Sequence, residues 1–299
     1  MSKISFRGIM PALITPIDAR GRVLVKTVER LVEEQLAAGV DGFYVTGGTG
    51  EGVLLSMEQR REMVEAVIAA NRHRGKVIVQ VGAFHFEDVL TLTRHATDAG
   101  AEGVSSVLPS LYFNYSMEET EEYYKRIAGE TSLPLILYAQ VGAAFPNVNA
   151  LLEKLLVVPN IIGVKDTRGN YYQMWQLKQL AGGDINVING PDESLICGLT
   201  MGADGGIGTT YNVMPERFTR LYQAFQKGDI SKAREEQTGI NHMIGLIIKH
   251  GKGYTIRAVK EILRLKGHET GVSLAPAREM TEEERKELRL ALESVGYFS

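Results

Sequence analysis

Lys165 closes an apolar run, Ile161-Ile162-Gly163-Val164-Lys165-Asp166-Thr167, where a short buried strand would meet solvent. Taking an ammonium out of water is costly, so a lysine in such a run needs a partner or a chemical purpose. Apolar surroundings favour the neutral amine, and a neutral amine can attack a ketone to form a Schiff base. The plainer alternative is an ion pair with the adjacent Asp166. Other residues of chemical interest occupy similar places. Thr46-Gly47-Gly48-Thr49-Gly50-Glu51 precedes a helical segment. Its glycines let the backbone approach a ligand, and free N–H groups ahead of a helix suit a carboxylate or a phosphate. It is not a P-loop, because the Gly-Lys-Ser/Thr ending is absent. Pro109-Ser110-Leu111-Tyr112 and Leu137-Tyr138-Ala139-Gln140 each offer a phenol that could move protons at a substrate oxygen, or simply pack with its hydroxyl satisfied. Asn189-Gly190-Pro191-Asp192-Glu193 carries two carboxylates that could accept hydrogen bonds from sugar hydroxyls. The alternative is helix capping by Asp192, with Glu193 favourable in the first turn.

The elements that must position these residues alternate regularly. Strand-like runs are read at Gly8–Ile17, Gly42–Gly47, Val77–Ala83, Gly103–Pro109, Leu133–Gln140, Ile161–Thr167, Ile185–Gly190 and Gly205–Thr210. Most are short and lack polar alternation, as expected of parallel strands covered on both faces. The last is mostly glycine and would not be read as a strand alone. Helical stripes lie between them at Val25–Ala38, Ser56–Ala70, Asp88–Ala99, Met117–Ile127, Val148–Leu156, Tyr171–Ala181 and Glu193–Met201. Ser56 followed by Gln59 forms a capping-box pattern. Beyond Met214 the pattern is only helical, at Glu216–Gln226, Ser231–Ile248, Tyr254–Leu265 and Thr281–Val295. This order predicts an α/β protein: a (β/α)8 TIM barrel over residues 1–230, and a helical C-terminal extension over 231–299 packed on the barrel or on a neighbouring subunit. In such barrels the active site lies at the C-terminal ends of the strands, where every residue singled out above falls.

Composition narrows the function classes. Lysine plus arginine number 33 against 36 acidic residues, a formal charge of −3, so no basic excess points to nucleic acid or an anionic membrane. The single cysteine, Cys197, forms no intrachain disulfide and suits a reducing compartment. Met1–Arg7 lacks the apolar core of a signal peptide, and no apolar run approaches the roughly 18 residues that span a bilayer. A soluble, cytoplasmic protein is expected. The six histidines are scattered, and no metal-ligand spacing such as H-E-x-x-H occurs.

Taken together, Gly47–Glu51, Tyr138, Gly163-Val164-Lys165 and Gly202-Ala203-Asp204-Gly205-Gly206-Ile207-Gly208 resemble the N-acetylneuraminate lyase and dihydrodipicolinate synthase superfamily of pyruvate-type class I aldolases, over nearly the whole chain. The resemblance implies a barrel, commonly tetrameric, that needs no metal or cofactor beyond a covalent Schiff base on Lys165. It makes Tyr138 the catalytic partner and Tyr112 a second, relay tyrosine. Thr49 and nearby backbone N–H groups would hold the keto-acid carboxylate, and Gly48 and Ile207 join the substrate-contacting set. Thr167, Gly190, Asp192, Glu193 and Thr209 match positions that hold the polyhydroxylated tail of sialic acid in the lyase branch. Ala143 stands where dihydrodipicolinate synthases carry an arginine, which argues against that reaction.

Two departures stand out. Gly48 replaces the hydroxyl residue that commonly links the two tyrosines, and Tyr138-Ala139-Gln140-Val141 replaces Tyr-Asn-x-Pro. Losing one positioned proton-transfer group costs on the order of 10²–10⁴ in rate unless Tyr112, Thr46 or water substitutes. The expected reaction is cleavage of a 3-deoxy-2-keto sugar acid, N-acetylneuraminate foremost, to pyruvate and an aldose. Alternatives are a 2-keto-3-deoxygluconate-type aldolase, a 5-dehydro-4-deoxyglucarate dehydratase, which Gly48 favours, and a keto-acid-binding protein without turnover. The partners expected are small keto or sugar acids and copies of the same chain, with no nucleic acid or membrane.

Overall fold

The computed structural model describes residues 6–110, 113–140 and 147–298. Eight strands, β1 Gly8–Pro11, β2 Gly42–Val45, β3 Lys76–Gln80, β4 Gly103–Val107, β5 Leu135–Ala139, β6 Ile161–Asp166, β7 Asn186–Asn189 and β8 Gly205–Gly208, pair in parallel in the order β1-β8-β7-β6-β5-β4-β3-β2. A bridge from Ala12 to Tyr44, with the Leu13 N–H donating to the Tyr44 carbonyl at 2.9 Å, closes the ring. The barrel helices are α1 Val25–Ala37, α2 Met57–Asn71, α3 Phe86–Asp98, α4 Met117–Gly129, α5 Val148–Leu155, α6 Tyr171–Leu177, α7 Leu195–Thr200 and α8 Pro215–Gln226. Three more follow: α9 Ile230–Gly251, α10 Thr255–Leu265 and α11 Glu282–Ser294. The fold is the (β/α)8 TIM barrel that the alternation predicts.

Because successive strand side chains point to opposite faces, the core divides in two. Met10, Tyr44, Ile78, Ile136, Ile162, Ile188 and Ile207 fill the barrel interior. Their strand neighbours, such as Ile9, Phe43, Val77 and Ile161, join the helices in the outer layer. Both faces are dry, which is why the strands read as continuous apolar runs.

The differences from the sequence reading have physical causes. The first run continues to Ile17, but pairing in β1 stops at Pro11 while residues 12–17 stay buried; an apolar run reports burial, not strand pairing. β8 is a strand despite its glycines because neighbours occupy the missing side-chain volume. A Cβ on Gly208 would lie 1.9 Å from Asp192 Oδ1. The Ser56–Gln59 capping box forms as expected. Asp192 caps no helix: it opens a 3₁₀ turn over Asp192–Ser194, and its carboxylate is engaged elsewhere. Among the described residues no helix is long and apolar enough to cross a membrane.

The C-terminal helices hold the catalytic face of the barrel. On α9, Gln237 donates to the Asp192 carbonyl at 3.1 Å and Asn241 to the Glu193 carbonyl at 3.0 Å. On α10, the fully buried Lys260 pairs with the fully buried Glu51, the last residue of the glycine-rich loop after β2. Glu51 Oε1 also accepts from the Tyr254 hydroxyl at 2.7 Å and the Leu274 N–H at 2.9 Å, and Lys260 donates to the Val272 carbonyl at 2.7 Å. Removing one member of a buried pair strands the other charge without a counter-ion. Lys260→Ala should therefore lower unfolding free energy in a denaturant titration by about 3–5 kcal/mol. The double variant Glu51→Gln/Lys260→Met should recover a large part of that loss; equal loss in both would show that the charges are not the cause.

Candidate active site

Lys165 and Asp166 adjoin in sequence but point to opposite faces of β6. Lys165, 5% exposed, enters the barrel, and no carboxylate lies within 4.0 Å of its Nζ among the described residues. Asp166 is fully buried on the outer side, where Arg168 grips both carboxylate oxygens, at 2.9 Å from Nε and 2.7 Å from Nη2. The ion pair that the sequence allowed between Lys165 and Asp166 is thus excluded. β5 and β6 are in register at Tyr138 and Lys165, so the two side chains adjoin. Nζ lies 4.0 Å from the Tyr138 ring centroid and 4.5 Å from that of Tyr44.

A cavity of about 260 Å³ opens above Lys165. Eight of the eleven residues singled out in the sequence line it: Gly48, Thr49, Tyr138, Lys165, Thr167, Gly190, Ile207 and Thr209. Tyr112 lies outside the described residues, as do Ala143 and Val141. Asp192 and Glu193 are not among its lining residues.

The loop after β2 is wound tightly, with Thr46 and Glu51 both left-handed at φ 56° and 55°, a strained conformation for side-chain-bearing residues that clusters at functional sites. Within it the Glu51 and Gly52 N–H groups donate to the Gly48 and Gly47 carbonyls, both at 3.0 Å. The Gly48, Thr49 and Gly50 amides have no partner among the described residues and remain free for an anion. Thr49 Oγ1 lies 2.7 Å from Thr209 Oγ1, tying this loop to the one after β8. The Thr46 hydroxyl sits 2.9 Å from the Gln80 carbonyl and 2.7 Å from the Val45 carbonyl, so it is engaged with backbone and is a poor proton relay. A Cβ added to Gly48 would meet nothing within 4 Å.

On the opposite wall, Thr167 Oγ1 is buried without a hydrogen-bond partner, a group whose desolvation goes unrepaid unless a ligand hydroxyl meets it. Gly190 makes room for it, since a Cβ there would lie 2.4 Å from that oxygen. Glu193 is exposed. Asp192 Oδ2 accepts from both the Thr210 N–H and the Thr210 hydroxyl at 2.7 Å, so its visible work is to shape the loop carrying Thr209. Among the described residues no three His, Cys, Asp or Glu side chains gather as a metal site.

The sequence reading missed one wall and one ring beneath Lys165. Gly253–Ile256, ahead of and at the start of α10, line the cavity; Tyr254 turns its hydroxyl away to Glu51, and burial followed by that bond raises its pKa, so it stays a donor. The only signal was a tyrosine after glycine in the C-terminal segment, and nothing local places it at a site some 200 residues upstream. Tyr44, mid-strand in β2, reads as core.

Burial raises the Asp192 pKa to about 6, against the lowering by its Thr210 bonds. The folded protein therefore takes up this proton more readily than the unfolded chain. The group's contribution to stability is complete below its unfolded value of 3.8 and is lost as pH rises through about 6. Stability measured relative to Asp192→Asn should fall by on the order of 2 kcal/mol between about pH 4 and pH 6.5. A flat difference in chemical denaturation would show the carboxylate to be solvated.

Comparison with known proteins agrees with this geometry. Residues 5–295 match the model of the dihydrodipicolinate synthetase family. N-acetylneuraminate lyase of Citrobacter koseri is 38% identical over 263 residues, 86% of each chain, and that of Rhizobium meliloti is 34% identical over 98% of this chain and 96% of its own. Among solved structures, a catalytic lysine mutant of Ruminococcus gnavus sialic acid aldolase superposes with a TM-score of 0.92 at 27% identity, covering 97% of this chain and 96% of that one. Proteus mirabilis N-acetylneuraminate lyase gives 0.91 at 25% identity, over 98% and 99%. With a family match running from strand β1 to the last helix, this chain belongs to the dihydrodipicolinate synthetase family.

Proposed function

We propose that this protein is a Schiff-base aldolase that cleaves N-acetylneuraminate to pyruvate and an aldose. The observation that carries the reading is the Lys165 amine: buried, with no carboxylate within 4.0 Å among the described residues, and facing a cavity edged by backbone amides that have no partner among them, in a chain similar to N-acetylneuraminate lyases. Lys165 attacks the C2 ketone and water leaves, giving an iminium. Tyr138, with the substrate carboxylate, takes the C4 hydroxyl proton. The C3–C4 electron pair moves into the iminium, the aldose departs, and the resulting enamine is protonated at C3 before hydrolysis frees pyruvate and the amine.

Thr49 and the amides of Gly48, Thr49 and Gly50 hold the carboxylate in this scheme, and Ile207 supplies apolar wall. Thr167, Gly190 and Thr209 select the polyol. Asp192 and Glu193 act with them, Asp192 also through the Thr210 loop. Tyr112 is the second tyrosine of the relay. No metal or other cofactor takes part, and the protein works as a cytoplasmic homo-oligomer, a tetramer by resemblance to its family.

Purified protein should release pyruvate from N-acetylneuraminate, and Lys165→Ala should not. No release from folded wild type would redirect the search to keto-deoxy-gluconate and keto-deoxy-glucarate. The open space at Gly48 accepts a serine without a clash. Gly48→Ser should therefore fold like the parent and raise kcat roughly tenfold or more, by adding a positioned hydroxyl beside Tyr138. An unchanged kcat would mean that water already completes the relay.

A further inference from the structure

The Lys165 nitrogen faces two aromatic rings, and the reaction scheme uses only one. Tyr138 supplies a proton-handling hydroxyl. Tyr44 has its ring centroid 4.5 Å from Nζ, while its own hydroxyl points away and donates to Ser105 Oγ on β4 at 3.1 Å. Tyr44 is fully buried, and burial raises its pKa well above the ordinary phenol value, so it remains neutral. The two rings meet edge to face, with centroids 6.2 Å apart and planes at 83°. The Tyr44 ring is held from a third side by the glycine-rich loop, since a Cβ on Gly47 would lie 2.5 Å from its Cε1. Three elements, β2, β4 and the loop after β2, thus fix one ring against one nitrogen that has no carboxylate within 4.0 Å among the described residues.

We propose that Tyr44 is a catalytic residue whose ring face stabilises the positive charge of the Schiff base on Lys165. The proposal rests on the reading of Lys165 as the Schiff-base lysine. The negative face of an aromatic ring attracts a cation, most strongly where water is excluded. Condensation forms the N–C2 bond and expels the ketone oxygen as water, leaving a protonated iminium whose nitrogen has no protein carboxylate within 4.0 Å among the described residues. When C3–C4 breaks, its electron pair neutralises that nitrogen to give the enamine. The ring therefore favours the iminium over the free components, but its attraction fades as the bond breaks. Its effect belongs to adduct formation rather than to cleavage, since only a difference between ground and transition state changes the chemical step. This separates Tyr44 from Tyr138, whose proton transfer acts on cleavage.

The test titrates full-length protein with pyruvate, reduces with borohydride and measures the Lys165 adduct by mass. Tyr44→Leu, or Tyr44→Met should the leucine variant not fold, should need about 2- to 30-fold more pyruvate for half-maximal trapping, and should raise KM for the sugar acid by more than it lowers kcat. Tyr44→Phe keeps the ring and should reverse most of that shift. Phenylalanines carrying one to three fluorines at position 44 keep the shape while weakening the ring face, and half-saturation should climb with each fluorine. Trapping by the leucine or methionine variant at the wild-type pyruvate concentration, or a flat fluorine series, would overturn the proposal while leaving the Schiff base intact. An equal defect in Tyr44→Phe and Tyr44→Leu would overturn it in favour of the Ser105 hydrogen bond. Wild-type protein that traps no pyruvate at Lys165 would overturn the Schiff-base reading itself, and Tyr44 with it.

Discussion

The opposite facing of Lys165 and Asp166 on β6 keeps the Lys165 amine available. Lys165 and Asp166 are consecutive, and on a flexible chain they would neutralise one another. In a strand buried on both faces they cannot meet: the lysine enters the barrel and the carboxylate enters the outer layer, where Arg168 grips both of its oxygens. A buried charge without its own partner is unstable, and Arg168 supplies that partner to Asp166 on the outer face, away from the lysine. The cavity, the aromatic rings and the neighbouring loops are arranged around a nitrogen left unpaired in this way.

A second dependency runs from the far end of the chain. The glycine-rich loop is short, strained at two residues, and free at three amides. What holds it is not local: Glu51 is anchored by Lys260, Tyr254 and the Leu274 amide, more than 200 positions downstream. The loop carrying Asp192 and Glu193 is likewise held through its carbonyls by Gln237 and Asn241. The helices that follow the barrel are thus part of how the site is preorganised, and the family match extends through them. Preorganised donors cost no reorganisation at the moment of reaction.

Gly48, which the resemblance sets against a hydroxyl residue, differs from the other two cavity glycines in what its missing side chain leaves. Gly48 leaves an unfilled volume against the cavity, while Gly190 and Gly208 are each required by an oxygen already occupying the Cβ position. Two glycines serve packing and one removes a functional group. The engaged Thr46 hydroxyl shows that the lost group is not replaced from within the loop.

Much of the fold was legible in the sequence because its signals are local. Apolar runs alternating with amphipathic stripes gave eight strands and their helices, and strand-end positions pointed to Lys165, Tyr138, Thr49 and Thr167. Apolar runs could not mark where pairing ends, because residues 12–17 are as buried as β1 itself. Nor could apolar character mark β8, read at Gly205–Thr210 only from its place in the alternation, because its glycines carry no side-chain signal and neighbours such as Asp192 fill the space. Residue type and spacing therefore determined which groups could do chemistry. Tertiary structure decided which were free to do it: it parted Lys165 from Asp166, committed Asp192 to Thr210 and Thr46 to a backbone carbonyl, and brought Tyr44 to Lys165 and Tyr254 to the cavity. The reason is that partnership in a dry interior depends on which face a side chain leaves and what folds over it, and neither is a property of neighbouring sequence.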